Sequence, residues 1–266
     1  MIQETNLKPY TIYHPESHRF PLVVSIPHSG TQLTKEMQKT LLPGIVLSNM
    51  DWYLPQLYAF LVECGVTVLV NRMSRYVIDP NRPPFQKIGA SYTTTNCIYE
   101  TTTSGEPMYA APLTEAMRLE RKRCYYDAYH QTLRRLLAEK KQRFSKVYFL
   151  DLHSYGMDTG SDAIIGTQFG QTCSAAYSTT LQTLLEQEGL RIAENRPFAG
   201  GYLTKHYGAD TQIEAAQIEL SYAYYIDHRT FGREAFPEIC PAVFADAQQH
   251  LQLFFKNLLK EQMTCQ

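Results

Sequence analysis

Short apolar runs alternate with longer amphipathic stretches along most of the chain. Five runs rich in Val, Ile, Leu and Ala are bounded by polar or turn residues, at positions 22–26, 67–70, 147–150, 163–165 and 215–220. Continuous apolar runs of this length are typical of strands buried on both faces of a largely parallel sheet. Helical patterns lie between the runs at 52–62, 114–143 and 175–188. The alternation predicts an α/β fold in which helices cover a sheet.

Two further segments complete this pattern. Apolar residues recur at intervals of three and four between Val243 and Leu259, which predicts an amphipathic C-terminal helix packed on the domain. Residues 79–108 are instead rich in Pro, Thr, Asn and Gly, and connections of about 30 residues are often functional. Because no repeat or linker interrupts the chain, we expect one domain over residues 1–266.

The composition argues against several classes of partner. The 266 residues include 25 basic and 26 acidic side chains, and the formal net charge of -1 gives no electrostatic reason to expect nucleic acid or an anionic membrane. No apolar segment approaches the roughly 18 residues of a membrane span. The six cysteines are dispersed without a CxxC pair, as in proteins with reduced thiols. We therefore expect a cytoplasmic protein that acts on a small molecule.

Two histidines follow predicted strands. His28 comes directly after the run 22–26, in PLVVSIPHSG, and His153 follows the run 147–150, in VYFLDLHSYG. Ligands of open α/β sheets bind beyond the carboxyl ends of the strands, so both side chains are expected at one edge. For either residue alone, the ordinary interpretation is a hydrogen-bonded histidine at a strand end. The repeated arrangement favours a catalytic zinc site, which takes three protein ligands and leaves one position for water.

The third ligand is expected to be a carboxylate, and two aspartates are candidates. Asp51 precedes the helical pattern DWYLPQLYAF, where an aspartate is also an ordinary N-cap residue. Asp151 stands two residues before His153 and would either ligate the metal or orient a ligand by hydrogen bonding. The residues alone leave these alternatives open.

Cationic side chains cluster between the two histidines. Arg75 lies in NRMSRY, and Asn81 and Arg82 lie in DPNRPP. A guanidinium group binds a carboxylate with two parallel hydrogen bonds, so arginines beside a metal indicate an anionic substrate. Surface salt bridging is the alternative for any one of these arginines.

Two more segments carry candidate residues. Glu219 lies within the apolar stretch AAQIELSYAYY, where burial would raise its pKa toward the range of a general base; a buried ion pair with an arginine is the alternative. Lys205 and His206 lie in GGYLTKHYG, which suits either a mobile loop that brings polar groups to a ligand or an exposed hairpin turn. No P-loop, GxGxxG or GxSxG motif occurs.

Six motifs follow one another between about Pro21 and about Asp227, namely SIPHSGT, MDWYLPQLY, SRYVIDPNRPP, DLHS, GGYLTKHYG and QIEL. Their sequence and order resemble the N-formylglutamate amidohydrolase family. That family is similar to the zinc carboxypeptidases and the aspartoacylase-like amidases. The resemblance implies a three-layer α/β/α fold around a mixed, largely parallel sheet, of the zinc-carboxypeptidase (phosphorylase/hydrolase-like) type.

The resemblance also implies a zinc site and a general base. Zinc would be bound by His28, Asp51 and His153. The carboxypeptidases have a glutamate ligand three residues after the first histidine, where this chain has Thr31, so Asp51 would take its place. Glu219 would accept a proton from the attacking water.

The substrate contacts follow from the same resemblance. Arg75 would stabilise the oxyanion, while Asn81 and Arg82 would hold one substrate carboxylate. Lys205, which stands where the deformylases are expected to have arginine, or His206 would lie near the other carboxylate.

The implied reaction is hydrolysis of N-formyl-L-glutamate to formate and L-glutamate, the closing step of one route of histidine degradation. One alternative is a zinc amidase for another N-acyl amino acid, which would share the chemistry and differ in its pocket. The other alternative is a binding protein that kept the fold without catalysis. Retention of both histidines and Glu219 favours an enzyme, because binding alone requires no base.

Overall fold

The computed structural model of the chain describes residues 8–84, 96–227 and 234–264. Within these residues, seven strands form one sheet: β1 (Tyr10–Tyr13), β2 (Leu22–Ile26), β3 (Thr67–Asn71), β4 (Val147–Tyr155), β5 (Ala163–Gly166), β6 (Ile192–Glu194) and β7 (Ile213–Ser221). Their spatial order is β1-β3-β2-β4-β7-β5-β6.

The helices surround this sheet. They are α1 (Lys35–Thr40), α2 (Leu54–Leu57), α3 (Ala59–Glu63), α4 (Glu115–Arg121), α5 (Asp127–Lys141), α6 (Ala175–Gln187), α7 (Tyr202–Tyr207), α8 (Tyr222–Tyr225) and α9 (Pro241–Thr264). A π-helical turn, Lys122–Tyr126, joins α4 to α5. Side-chain hydroxyl groups of Thr34, Thr114 and Ser174 cap the first turns of α1, α4 and α6, which fixes where these helices begin.

The central strands β3, β2, β4 and β7 run parallel to one another. At one edge β1 pairs antiparallel with β3. At the other edge β5 pairs antiparallel with β7, and β6 continues the sheet parallel to β5. The predicted α/β fold with a mixed, largely parallel sheet is therefore confirmed.

Helices cover both faces of the sheet. The side chains of the central strands point alternately into two apolar clusters, one on each face, and each cluster includes residues of different helices. Val23 of β2 belongs to the cluster that contains Leu133 of α5 and Leu203 of α7. Val24 belongs to the opposite cluster, which contains Phe254 of α9. These side chains are at most 2% exposed, and burial of each contributes about 2 kcal/mol. The two clusters hold a rigid sheet, and the carboxyl ends of its central strands carry the site.

Most predicted elements are present; β2 has the predicted bounds, and the bounds of several other elements differ. β4 extends to Tyr155, so His153 lies inside the strand rather than after it. The stretch 52–62 forms two short helices, of which α2 begins at Leu54 and α3 at Ala59. GGYLTKHYG forms helix α7, so the prediction of a mobile loop or hairpin was wrong. Part of the irregular segment 79–108, residues 85–95, lies outside the described residues. Among the described helices, none has the length and apolarity to cross a membrane.

Candidate active site

The face of the sheet beneath α5 changes from apolar to polar toward the carboxyl ends of its strands. On β4, Val147 and Phe149 belong to the apolar cluster, and the next two residues on that face are Asp151 and His153. Residues two apart on a strand point to the same side, so the strand delivers both polar side chains to one edge. β2 contributes Ser25 beside them, and its hydroxyl donates to Asp151 at 2.8 Å.

β7, which pairs with β4, also changes on this face from apolar to polar side chains toward its carboxyl end. Its register places Gln217 opposite Asp151 and Glu219 opposite His153. Since directly opposed side chains are close neighbours in a sheet, the pairing brings the candidate base to the candidate ligand. The sheet therefore assembles these residues on one surface.

His28, Asp51 and His153 form a compact group of potential metal ligands. All three are buried, and their ligand atoms lie within 4.8 Å of one another. Asp51 Oδ2 is 2.9 Å from His153 Nδ1 and 3.7 Å from His28 Nδ1. Two imidazole nitrogens and one carboxylate are a donor set that catalytic zinc takes, and the atoms present fit a divalent ion.

Carboxylates hold the outer nitrogens of both histidines. His28 Nε2 donates to Asp79 at 2.6 Å, and His153 Nε2 donates to Asp151 at 2.8 Å, because a carboxylate can only accept. These bonds fix the ring orientations and turn both Nδ1 atoms toward Asp51. Hydrogen bonds of this kind orient metal-binding histidines and raise their basicity.

The two aspartate candidates thus occupy different positions. Asp51 lies between the inward-facing Nδ1 atoms, whereas Asp151 lies on the outer side of the His153 ring. The hydrogen bond of Asp151 to the outer nitrogen is the contact expected of an orienting group, one of the alternatives that the sequence left open. The interpretation of Asp51 as a helix cap was wrong, because α2 begins at Leu54 with Tyr53 as its N-cap residue.

The pKa values of His28 and His153 are shifted in opposite directions. Burial and the Arg75 charge lower the pKa of His28, although Asp79 opposes them. Burial also disfavours protonated His153, but Asp151 and Asp51 outweigh it and raise the pKa of this histidine well above its ordinary value. Protons and a metal ion compete for such nitrogens, so metal binding here is expected to release a proton.

Asp79 is a site residue that the sequence reasoning missed. Besides His28, it accepts hydrogen bonds from Arg75 Nη2 at 2.8 Å, from the Asn81 backbone N–H at 2.7 Å, and from the Tyr99 hydroxyl. Burial would raise its pKa, but the His28 and Arg75 charges hold the pKa well below the ordinary value. A carboxylate two residues before Asn81, in the segment already marked by Arg75, was the available signal.

Glu219 is 9% exposed and faces the candidate metal group. Burial raises its pKa to about 7, with the His153 charge opposing and the Asp51 charge adding to the shift. Gln217, also missed by the sequence reasoning, donates from Nε2 to Glu219 Oε1 at 2.7 Å. Its own Oε1 accepts the Gly201 backbone N–H at 2.7 Å, which fixes the orientation of the Gln217 amide. Glu219 thus has one oriented oxygen and the pKa of a general base.

A cavity of about 720 Å³ opens onto these residues. His28, Asp51, His153 and Glu219 contribute to its lining. Cationic or amide groups also line it, namely Arg75, Asn81, Arg82, Asn49 and Gln217. Met157 and Phe198 form part of its apolar wall. A polar, cation-bearing cavity of this kind suits a small anionic substrate.

The structure brings only some of the predicted substrate contacts together. Arg75 and Arg82 line the cavity. Asn81 also lines it, but its Oδ1 accepts the Leu203 backbone N–H at 2.8 Å, and its Nδ2 lies 3.0 Å from His153 Nε2.

Lys205 and His206 are exposed on α7 and do not line this cavity. His206 instead stacks on Tyr202, with ring centroids 5.1 Å apart, beside a smaller surface pocket. The sequence-based expectation that one of them lies near a substrate carboxylate has no support in their positions.

The fold and the cavity have the features of a hydrolase, and comparisons identify the family. The family model of N-formylglutamate amidohydrolase matches residues 20–226. An N-formylglutamate deformylase of Pseudomonas aeruginosa is 34% identical over 224 residues, which cover 79% of this chain and 84% of the relative. An N-formylglutamate deformylase of Pseudomonas putida is 33% identical and covers 79% of this chain and 83% of its own. The chain belongs to the N-formylglutamate amidohydrolase family and is an amidohydrolase.

Solved structures agree on the fold. The crystal structure of N-formylglutamate amidohydrolase from Ralstonia eutropha JMP134 has a TM-score of 0.83 at 24% identity, covering 98% of this chain and 100% of that chain. A gene product of Agrobacterium tumefaciens, Atu2144, has a TM-score of 0.73 at 15% identity, covering 97% and 96% respectively. At these identities the likeness shows the fold alone.

Proposed function

We propose that this protein hydrolyses N-formyl-L-glutamate to formate and L-glutamate in a metal-dependent reaction. The observation that carries the proposal is the convergence of His28, Asp51 and His153 beside Glu219 in one anion-suited cavity. The family supports the substrate, since the two Pseudomonas relatives are N-formylglutamate deformylases.

His28 Nδ1, His153 Nδ1 and one Asp51 oxygen would hold the metal, and their nitrogen and carboxylate chemistry favours Zn²⁺. Such an ion lowers the pKa of water and polarises a carbonyl oxygen. Asp79 and Asp151 keep the imidazoles turned inward for this purpose.

Glu219 supplies the proton transfers of the proposed reaction. Its carboxylate takes a proton from the water that attacks the formyl carbon, and a new C–O bond forms. It then returns that proton to the leaving nitrogen as the C–N bond breaks, which gives formate and the free amino group. The Gln217 hydrogen bond to Oε1 leaves Oε2 of Glu219 for this exchange.

Arg75 and Arg82 provide positive charge on the cavity wall. Arg75, buried and oriented by Asp79, is positioned to stabilise the negative charge that develops on the formyl oxygen. Arg82 is assigned to a substrate carboxylate, because a guanidinium group matches its geometry. Asn81, which also lines the cavity, contributes by fixing the start of α7 through Leu203.

A zinc amidase for another N-acyl amino acid is the second candidate, because the same groups would hydrolyse its amide bond and only the pocket contacts would differ. The place in histidine degradation and the cytoplasmic location stay predictions from the sequence.

Formate or acid release from a panel of N-formyl, N-acetyl and N-succinyl amino acids tests the substrate. We expect N-formyl-L-glutamate to have the highest kcat/KM in the panel. Higher kcat/KM for an N-acetyl or N-succinyl compound would replace the substrate while keeping the chemistry. Absence of turnover on every member would contradict the enzymatic function.

A further inference from the structure

The Asp51 segment, residues 49–53, has an unusual backbone on both sides of its aspartate. Asn49 and Tyr53 have positive φ angles of 55° and 61°, in the left-handed region that non-glycine residues rarely adopt. Such a backbone persists only where surrounding contacts hold it. The contacts of this segment therefore determine where the Asp51 carboxylate lies.

Two tyrosines of α8 hydrogen-bond the peptide carbonyls that flank Asp51. The Tyr222 hydroxyl donates to the Met50 carbonyl oxygen at 2.6 Å. The Tyr225 hydroxyl donates to the Trp52 carbonyl oxygen at 2.8 Å. The tyrosines are only 2% and 0% exposed, so water does not compete for these carbonyls. Because residues three apart share a helix face, one short helix serves both bonds.

The same helix connects the other parts of the site. α8 follows β7 directly, and β7 carries Glu219. The Tyr225 hydroxyl also lies 2.9 Å from Oγ of Ser154, the residue after His153. Tyr225 thus bridges the segments that carry two of the candidate ligands.

Residues that follow β2 also hydrogen-bond the backbone of Asp51. The Ser29 hydroxyl donates to the Asp51 carbonyl oxygen at 2.6 Å, and the Asp51 backbone N–H donates to the His28 carbonyl oxygen at 3.2 Å. These bonds tie Asp51 to the segment of the first histidine. The tyrosines hold it against the segments of His153 and Glu219.

We propose that Tyr222 and Tyr225 are positioning residues that hold Asp51 at the metal site, so that affinity for a divalent metal depends on their hydroxyl groups. The proposal rests on the function proposed above for the ligand role of Asp51. Phenylalanine keeps the buried ring and removes only the hydroxyl, which leaves the carbonyl of a buried residue without its donor. The segment then relaxes, and the carboxylate leaves the position between the two Nδ1 atoms.

Tyr224 offers a matched control on the same helix. Its hydroxyl lies 3.1 Å from His250 Nδ1 of α9 rather than against the Asp51 segment. Tyr224→Phe therefore removes a tyrosine hydroxyl from α8 without removing a bond to the Asp51 segment.

The test is the Zn²⁺ affinity of the full-length protein, measured by competition with a chromogenic chelator. We expect Tyr222→Phe and Tyr225→Phe each to weaken binding by about tenfold, as removal of groups that orient metal ligands does. The double variant should bind more weakly still, and Tyr224→Phe should match the wild type. At saturating Zn²⁺ the kcat of the single variants should recover, because the catalytic groups remain.

The outcomes separate this proposal from the proposed function. Equal Zn²⁺ affinity of both single variants and Tyr224→Phe would overturn the positioning role, even if their metal-free melting temperatures fall. Wild-type protein that binds no divalent metal would overturn the proposed function and this proposal together. The single variants decide the question where the double variant does not fold.

Discussion

Glu219 on β7 lies directly opposite His153 on β4 in the parallel register of the two strands. The pairing fixes a candidate base beside a candidate metal ligand through backbone hydrogen bonds rather than through flexible loops. Strand-borne side chains of this kind are held more precisely than loop residues. The geometry of the site is therefore a property of the central sheet.

Glu219→Gln should abolish the proton transfers while the site keeps its shape. We expect kcat to fall by about 10²–10⁴-fold, the usual contribution of general acid–base catalysis, with little change in KM. Metal content should equal that of the wild type. Steady-state kinetics with metal analysis checks this, and a variant with wild-type kcat would remove Glu219 as the base.

Asp79→Asn and Asp151→Asn should weaken metal binding without removing a ligand. Each change replaces a carboxylate that holds an imidazole Nε2. Affinity for Zn²⁺ should fall by about 10–100-fold. Asp210→Asn, which affects a half-buried pair with Lys141, serves as a control that should keep wild-type affinity. Unchanged binding in both site variants would show that the outer carboxylates do not orient the histidines.

Gln217 should affect catalysis through Glu219. Gln217→Glu keeps an acceptor for the Gly201 N–H but loses the donor to Glu219 Oε1 and places a second carboxylate beside it. We expect a kcat loss of about tenfold, since one hydrogen bond to a charged group is removed, and an unchanged KM. An increase in KM with unchanged kcat would assign Gln217 to substrate binding instead.

Arg82→Met should impair substrate binding more than chemistry. Loss of a charged hydrogen bond worth about 2 kcal/mol predicts a KM increase of about 30-fold for N-formyl-L-glutamate. Lys205→Met is the matched cation control, because Lys205 is exposed outside the cavity, and its KM should stay at the wild-type value. The reverse result would restore the sequence-based role of Lys205.

His130 should make stability depend on pH. It is 5% exposed, its Nε2 donates to the Pro80 carbonyl at 3.0 Å, and burial lowers its pKa to about 4. Between about pH 6.5 and pH 4, His130 is therefore protonated in the unfolded chain but neutral in the folded protein. Stability falls as pH drops from about 6.5 to 4, by up to about 3 kcal/mol for this residue.

Urea unfolding of wild type and His130→Gln across that pH range checks this prediction. The variant should lose less stability on acidification than the wild type. Parallel pH profiles for the two proteins would show that His130 does not contribute to acid sensitivity.

The sequence predicts the buried centre of the fold best. β2 and β3 are mostly apolar runs, because strands covered on both faces contain few polar residues, and β7 was recognised from the apolar residues around Gln217 and Glu219. The edge strands β1 and β6 were not predicted, since they have only four and three residues and are partly exposed. The π-helical turn at Lys122–Tyr126 likewise has no periodicity that distinguishes it from the helices beside it.

Candidate site residues were predictable where they lie near the carboxyl end of a strand or in a family motif. His28, after β2, and His153, near the end of β4, were proposed in this way, but the distance between them depends on the register of β2, β4 and β7, which are distant in sequence. Packing also decides which face of a short helix is exposed to solvent. The sequence does not show this for α7, so Lys205 and His206 were expected at the cavity although both are exposed outside it. Asp79 and Gln217 lie in the segments SRYVIDPNRPP and QIEL, but their contacts with His28 and Glu219 form only in the fold, so the sequence did not show their roles.

Formate release from N-formyl-L-glutamate, measured before metal removal, after chelation and after return of Zn²⁺, tests the central claim most directly. Activity should disappear with the metal and return with it, because His28, Asp51 and His153 form the group that would hold the ion. Full activity of the protein after complete metal removal would contradict the account.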